Sequence, residues 1–196
     1  MSTAAPARKD FLSVLDFDPS ELERCLEIAA QVKADRTLGR QAPTSAALAG
    51  RHIAMLFEKA SLRTRSTFEI AVVELGGNVV SLQPEAALGK REPVADVARN
   101  LERWVDGIVI RTFSQRVLEE FARAAPRMRV INALSDDQHP CQALADVMTL
   151  REQWGPLRGR TVAYVGDGNN VAVSLVHATL MLGVNIHVVS PDRSEE

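Results

Sequence analysis

Apolar residues along the chain cluster into short runs divided by longer stretches of mixed polarity. "HIAMLF" (52–57), "NVVSL" (78–82), "GIVIRTF" (107–113) and "RVINAL" (129–134) have the length and content of buried strands. Between and around them, helices are predicted over "SLRTRSTFEIAVVELGG" (61–77), 93–103, 115–124 and "HPCQALADVMTLREQW" (139–154), the last with Pro140 in its first turn. An earlier helix begins at Asp18, a candidate N-cap, followed by Pro19. Leu22, Cys25, Leu26, Ala29 and Ala30 then recur at helical spacing, and the pattern fades near "DRTLGR" (35–40). Gly76–Gly77 closes the helix that starts near Ser61. Strands alternating with helices predict βαβ units, hence an α/β fold with a parallel sheet flanked by helices.

"GPLRGR" (155–160) is rich in turn formers and reads as a joint. Beyond it, "TVAYVG" (161–166), a helix over about 170–182 and "NIHVVS" (185–190) form the first βαβ unit of a second doubly wound domain. Two strands and one helix leave the faces of a sheet uncovered, with apolar surface exposed. The expected division is therefore one whole domain over 1–152 and the incomplete start of another over 153–196.

Composition adds limits rather than identity. Hydrophobic residues make up 46% of the 196-residue chain, enough for a packed core and unlike a disordered chain. The formal net charge of −2 gives no general attraction to nucleic acid or an anionic membrane, so any anion binding must be local. Cys25 and Cys141 form no CxxC pair, and no Cys/His cluster has zinc spacing. A reduced, cytoplasmic protein without metal or cofactor is the simplest expectation. No stretch approaches the roughly 20 apolar residues of a membrane span, and the first residues lack a signal-peptide core.

Four places carry candidate chemistry. In "FEKASLRTRSTFE" (57–69), a strand runs into a helix start with hydroxyls and arginines, at the kind of strand end where parallel sheets bind ligands. Free N–H groups, the helix dipole and a forked guanidinium all favour an oxyanion there. The alternative is Ser61 as an ordinary N-cap with Arg63 and Arg65 in solvent. The glycines of a Walker loop are missing. In "HPCQ", His139 and Gln142 stand three apart across a helix start and can face one site, or the pair is a plain helix entry. Arg111, closing an apolar strand, needs either an ion-pair partner or a ligand. "VGDGNN" (165–170) lacks the third glycine of a dinucleotide fingerprint, having Val171 there, and Asn169 and Asn170 are good helix caps.

Together, "FEKASLRTRSTFE", "DGIVIRTF", "INALSDDQHPCQALADVMTL" and "VGDGNNVAVSL" resemble the aspartate/ornithine carbamoyltransferase family, in the family's order, from about Phe11 to Ser190. "HPCQ" and "GDGNN" place the resemblance on the ornithine side. It implies an N-terminal domain for carbamoyl phosphate and a C-terminal domain for the amino-acid acceptor. Ser61, Leu62, Arg63 and Thr64 would hold the phosphate, Leu62 standing where members often have threonine. Arg111 and His139 would donate to the carbamoyl oxygen, Gln142 would hold the carbamoyl NH2, and Asn170 would contact the α-amino-acid end of ornithine. The implied reaction gives L-citrulline and phosphate, in arginine biosynthesis, with no metal, in a homotrimer. N-acetylornithine or aspartate as acceptor, or a non-catalytic anion-binding paralogue, are the alternatives.

Two departures from the family stand out. Ala87 occupies a position where ornithine enzymes often carry a glutamine that reaches a neighbouring subunit, leaving Lys90 and Arg91 as the basic contacts across an interface, or as solvated loop charges. Members also continue well beyond residue 196, so this stretch alone is expected to be inactive.

Overall fold

The computed structural model describes residues 10–88 and 91–191. Helix α1 spans Pro19–Asp35 and is followed by a 3-10 segment over Arg36–Gln41. Strand β1 (His52–Phe57) leads to α2 (Leu62–Glu74), β2 (Asn78–Leu82), a short α3 (Pro84–Ala87) and α4 (Val94–Leu101). Then come β3 (Gly107–Arg111), α5 (Gln115–Ala124), β4 (Arg129–Leu134) and α6 (Pro140–Trp154). A second unit holds β5 (Thr161–Val165), α7 (Asn170–Met181) and β6 (Asn185–Val189). The expected strands and helices are all present. The 3-10 segment and α3 were not anticipated, because both are short and lack apolar periodicity.

The first sheet has the order β2-β1-β3-β4 and every pair in it is parallel. From β1 the chain steps outward to β2, then returns past β1 to build β3 and β4. The winding therefore reverses between β1 and β3. Such a reversal opens a crevice beyond the carboxyl ends of the two strands, because their following loops diverge to opposite faces.

Both faces of this sheet are covered, as side-chain alternation along the strands requires. Ala54, Leu56, Ile108, Ile110 and Val130 pack with α4 and α5, around the fully buried Leu118 and Phe121. Met55, Phe57, Val109 and Ala133 face the other way, against Val72 and Phe68 of α2. A further core joins Leu22 and Leu26 of α1, Ala143 and Val147 of α6, and Val162, Ala178 and Leu182 of the second unit. Helix α6 thus carries apolar contacts across the joint at 155–160, on which the position of its first turn depends.

Local signals close the elements as chemistry dictates. The Asp18 carboxylate accepts the N–H groups of Ser20 and Glu21 at 2.8 and 2.9 Å, starting α1. Gly76, at φ +82°, turns the chain out of α2, and a Cβ there would sit 2.6 Å from the Ser45 carbonyl oxygen. The parallel pair β5–β6 leaves apolar side chains in solvent, Val165 being 77% exposed. That bare face is what two strands and one helix predict.

Phe121→Ala removes a large, fully buried ring and is expected to lower unfolding free energy by about 3–5 kcal/mol, against about 1 kcal/mol for Asp18→Ala. Urea denaturation followed by circular dichroism measures both; equal losses would contradict the assigned core.

Candidate functional site

The crevice between β1 and β3 is tied together at its floor. Phe57 is in register with Arg111, so the two strands end side by side. The Glu58 N–H donates to the Arg111 carbonyl at 2.8 Å. The Glu58 carboxylate accepts the Thr112 hydroxyl at 2.5 Å and the Phe113 N–H at 3.3 Å. Lys59 pairs with Asp136 in the loop after β4, and its ammonium lies 4.4 Å from the centre of the Phe113 ring. Glu58 and Lys59 carry no motif signal of their own in the sequence beyond their place where the strand meets the anion motif. The carboxyl ends of β1, β3 and β4 are thereby fastened to one another.

The start of α2 stays open to a ligand. Ser61 occupies the N-cap position, yet its side chain caps no N–H; its hydroxyl donates instead to Thr64 Oγ1 at 2.9 Å. The first-turn N–H groups keep their positive end of the dipole for another partner. The Arg63 side chain is exposed and forms no hydrogen bond or ion pair with the described residues. Arg65 behaves differently. It pairs with Glu69 at 2.8 Å and donates to Ser81 at 3.1 Å, which removes one of the motif's two arginines from the anion role. The Leu62 side chain is 84% exposed, so at that position only the backbone can serve an anion.

Arg111 and His139 approach the crevice from β3 and from the start of α6. Arg111 Nε and His139 Nδ1 are buried and without a hydrogen-bond partner among the described residues. Buried polar atoms are almost always paired, and an unpaired one costs about 1–3 kcal/mol. Two such atoms here mark a place prepared for something else. Burial lowers the pKa of His139 to about 4, helped by the positive charge of Arg111, so the imidazole is neutral at physiological pH. Burial also lowers the pKa of Arg111.

Gln142 and Asn170 arrive with their amide groups already oriented. Gln142 Nε2 donates to Asp146 Oδ1 at 2.9 Å, one turn on along α6, which leaves Oε1 as the free acceptor. The Asp146 carboxyl has a pKa raised by burial and opposed by this hydrogen bond. Asn170 Nδ2 donates to the Ser135 carbonyl at 2.5 Å, again leaving an oxygen. Asn169, not Asn170, caps α7 by accepting the N–H groups of Val171 and Ala172.

The interface candidates fare differently. Ala87 is 5% exposed and packs into the first core, so its Cβ points inward, away from any neighbour. Arg91 is exposed, and Lys90 lies outside the described residues. A cavity of about 1130 Å³ lies between α1 and α2, lined in part by Cys25, Ile28, Ile70 and Met148. Arg36 and Glu74 at its rim satisfy each other at 2.9 Å, and none of Ser61, Arg63, Arg111, His139, Gln142 and Asn170 lines it. Among the described residues no group of three or more His, Cys, Asp or Glu side chains could hold a metal, and no helix is long and apolar enough to cross a membrane.

Comparison with known proteins gives the site a context. Residues 9–152 match the family model for the carbamoyl-P binding domain of aspartate/ornithine carbamoyltransferase, and residues 158–196 match its Asp/Orn binding domain. An ornithine carbamoyltransferase of Thermosynechococcus vestitus is 48% identical over 184 residues, which is 93% of this chain and 56% of that protein. The ornithine carbamoyltransferase structure from Pyrococcus furiosus superposes with a TM-score of 0.89 at 42% identity, over 96% of this chain and 59% of that one. That from Thermus thermophilus gives 0.85 at 45%, over 96% and 63%. The chain thus spans less than two thirds of the relatives it matches.

The neutral imidazole sets a pH signature. An unfolded histidine titrates near 6.5 and the folded His139 at about 4, so between those values the unfolded chain binds more protons. The stability contributed by this group is complete above about pH 6.5 and is lost as pH falls toward 4. His139→Asn is expected to flatten the fall of unfolding free energy across that window, measured by urea denaturation at a series of pH values. An unaltered slope would put the imidazole in water.

Proposed function

The chain belongs to the aspartate/ornithine carbamoyltransferase family, and from that premise we propose that its parent protein transfers the carbamoyl group of carbamoyl phosphate to the side-chain amine of L-ornithine, giving L-citrulline and phosphate. Residues 1–152 form the part that binds carbamoyl phosphate, and 153–196 begin the part that binds the acceptor. The observation that carries the reading is the pair of buried, unpaired nitrogens on Arg111 and His139, beside an uncapped helix start with a free Arg63. An oxyanion next to a polarisable carbonyl fits that arrangement; a simple phosphate would use only half of it.

In this reading the N–H groups at the start of α2, the Ser61 and Thr64 hydroxyls and Arg63 hold the phosphoryl oxygens. Leu62 contributes its N–H alone. Arg111 and His139 donate to the carbamoyl oxygen, and Gln142 Oε1 accepts from the carbamoyl NH2, the orientation that Asp146 enforces. The neutral amine of ornithine attacks the carbonyl carbon, and negative charge grows on the oxygen that Arg111 and His139 face. As the tetrahedral centre collapses, the bond to the bridging oxygen breaks and phosphate leaves with the bonding pair, while the new C–N nitrogen gives up a proton to the departing phosphate. Arg63 and the α2 dipole offset the charge the phosphate gains.

A neutral His139 suits this chemistry. It donates a hydrogen bond without placing a second full positive charge beside Arg111; burial, and then the charge of Arg111, depress its pKa. The free oxygen of Asn170 is an acceptor matched to the ammonium of an α-amino acid. Ornithine is preferred as acceptor because the relatives with 48% and 47% identity bear that name. We extend the reading to a homotrimer in the cytoplasm serving arginine biosynthesis, with Arg91 and Lys90 toward a neighbouring subunit. The stretch by itself lacks most of the acceptor side and is proposed to turn over poorly or not at all.

Calorimetric titration with carbamoyl phosphate tests the cradle. Arg63→Ala is expected to weaken binding by about 10- to 100-fold, the loss of one charge-assisted contact. Equal affinity in the two proteins would remove Arg63 from the site.

A further inference from the structure

Ser174 lies on α7 in the second unit, 0% exposed, a fully buried polar side chain near the crevice that the reaction above does not use. Its hydroxyl oxygen accepts the His139 N–H at 2.8 Å and donates to Gln138 Oε1 at 3.1 Å. One turn earlier on the same helix face, Asn170 donates to the Ser135 carbonyl. These two residues therefore grip the Ser135–His139 loop at both ends.

We infer that Ser174 is a positioning residue for His139, so that the second unit, through α7, sets where the imidazole meets the carbamoyl oxygen. His139 is the N-cap residue of α6, with φ −135° and ψ 63° and no side-chain cap bond. Its backbone N–H lies outside the helix ladder, and Ser174 is its hydrogen-bond acceptor. Fixing that N–H fixes the peptide plane from which the ring departs. A shift of about 1 Å in such a group is costly for a reaction that depends on near-attack geometry. Gln138 completes the arrangement. Its oxygen takes the Ser174 proton and also the Ser13 hydroxyl at 3.4 Å, so the serine hydroxyl has one consistent orientation. The chemical consequence is a link between the acceptor side of the molecule and the group that polarises the donor. It runs through two hydrogen bonds and no substrate contact.

The inference rests on the carbamoyl phosphate reading, and the test separates the two. Dissociation constants for carbamoyl phosphate and for inorganic phosphate are measured on the wild-type chain, Ser174→Ala and Ser174→Cys. The ring signals of His139 are followed by NMR over the same samples. Inorganic phosphate reports on the start of α2 alone, whereas carbamoyl phosphate also reports on His139. Both variants are expected to weaken carbamoyl phosphate binding by about fivefold, the worth of one ordinary hydrogen bond, with phosphate binding unchanged and the His139 signals displaced. Cysteine keeps the volume of the site while accepting hydrogen bonds poorly, so it gives the same reading should the alanine variant fail to fold. Unchanged carbamoyl phosphate binding with unmoved His139 signals overturns the inference. So does an equal loss for both anions, which would make Ser174 a general stabiliser. Failure of the wild-type chain to bind either anion overturns the functional reading instead, and displacement of the His139 signals then still decides the role of Ser174.

Discussion

The parallel pairing of β1 with β3 is the constraint on which the site depends. It brings Phe57 level with Arg111, although they are far apart in the chain, and the Glu58 N–H extends the ladder by one more bond. Because β2 and β3 are built on opposite sides of β1, the loops after β1 and β3 part company above the sheet. The uncapped start of α2 stands on one side of the gap and Arg111 on the other. A different strand order would bury the same residues and create no crevice.

Around that gap several donors are left without partners. The caps of α1 and α7 are filled by Asp18 and Asn169, and Arg65 and Lys59 have carboxylate partners. At the start of α2, at Arg63 and at the buried nitrogens of Arg111 and His139, partners are missing among the described residues. Such omissions cost stability; Asp35, Asn132 and His177 also hold a buried unpaired atom, but at the crevice the unpaired groups are cations and donors on neighbouring elements. Their chemistry is consistent: donors throughout, with the acceptor oxygens of Gln142 and Asn170 at the edge. That arrangement is what the proposed carbamoyl phosphate and amino-acid acceptor would call for.

Electrostatics and packing act together on His139. Its low pKa has two physical sources, burial beneath α6 and the charge of Arg111, and both follow from how the first sheet meets the second unit. The mixed core of α1, α6 and α7 holds the first turn of α6 in place, while Ser174 and Asn170 hold the loop before it. The imidazole of the first sheet's crevice is thus supported from the second unit.

The alternation of strands and helices is legible in the residues alone, because burial on both faces forces apolar runs and amphipathic helices into distinct patterns. Residue type and position at a strand or helix end also made Ser61–Thr64 a candidate anion cradle and Arg111, His139 and Gln142 candidate site residues, since both limit what each side chain can do. Which arginine of "SLRTR" is free depends on packing: Arg65 is occupied by Glu69 and Ser81, and the latter is a partner from a strand that no local pattern reveals. Likewise, the direction in which Ala87 points, the amide orientations of Gln142 and Asn170, the depressed pKa of His139 and the grip of Ser174 all depend on contacts between segments distant in sequence. Local propensity fixes what an element is. Only the packing of elements fixes which polar atoms meet and which are left waiting.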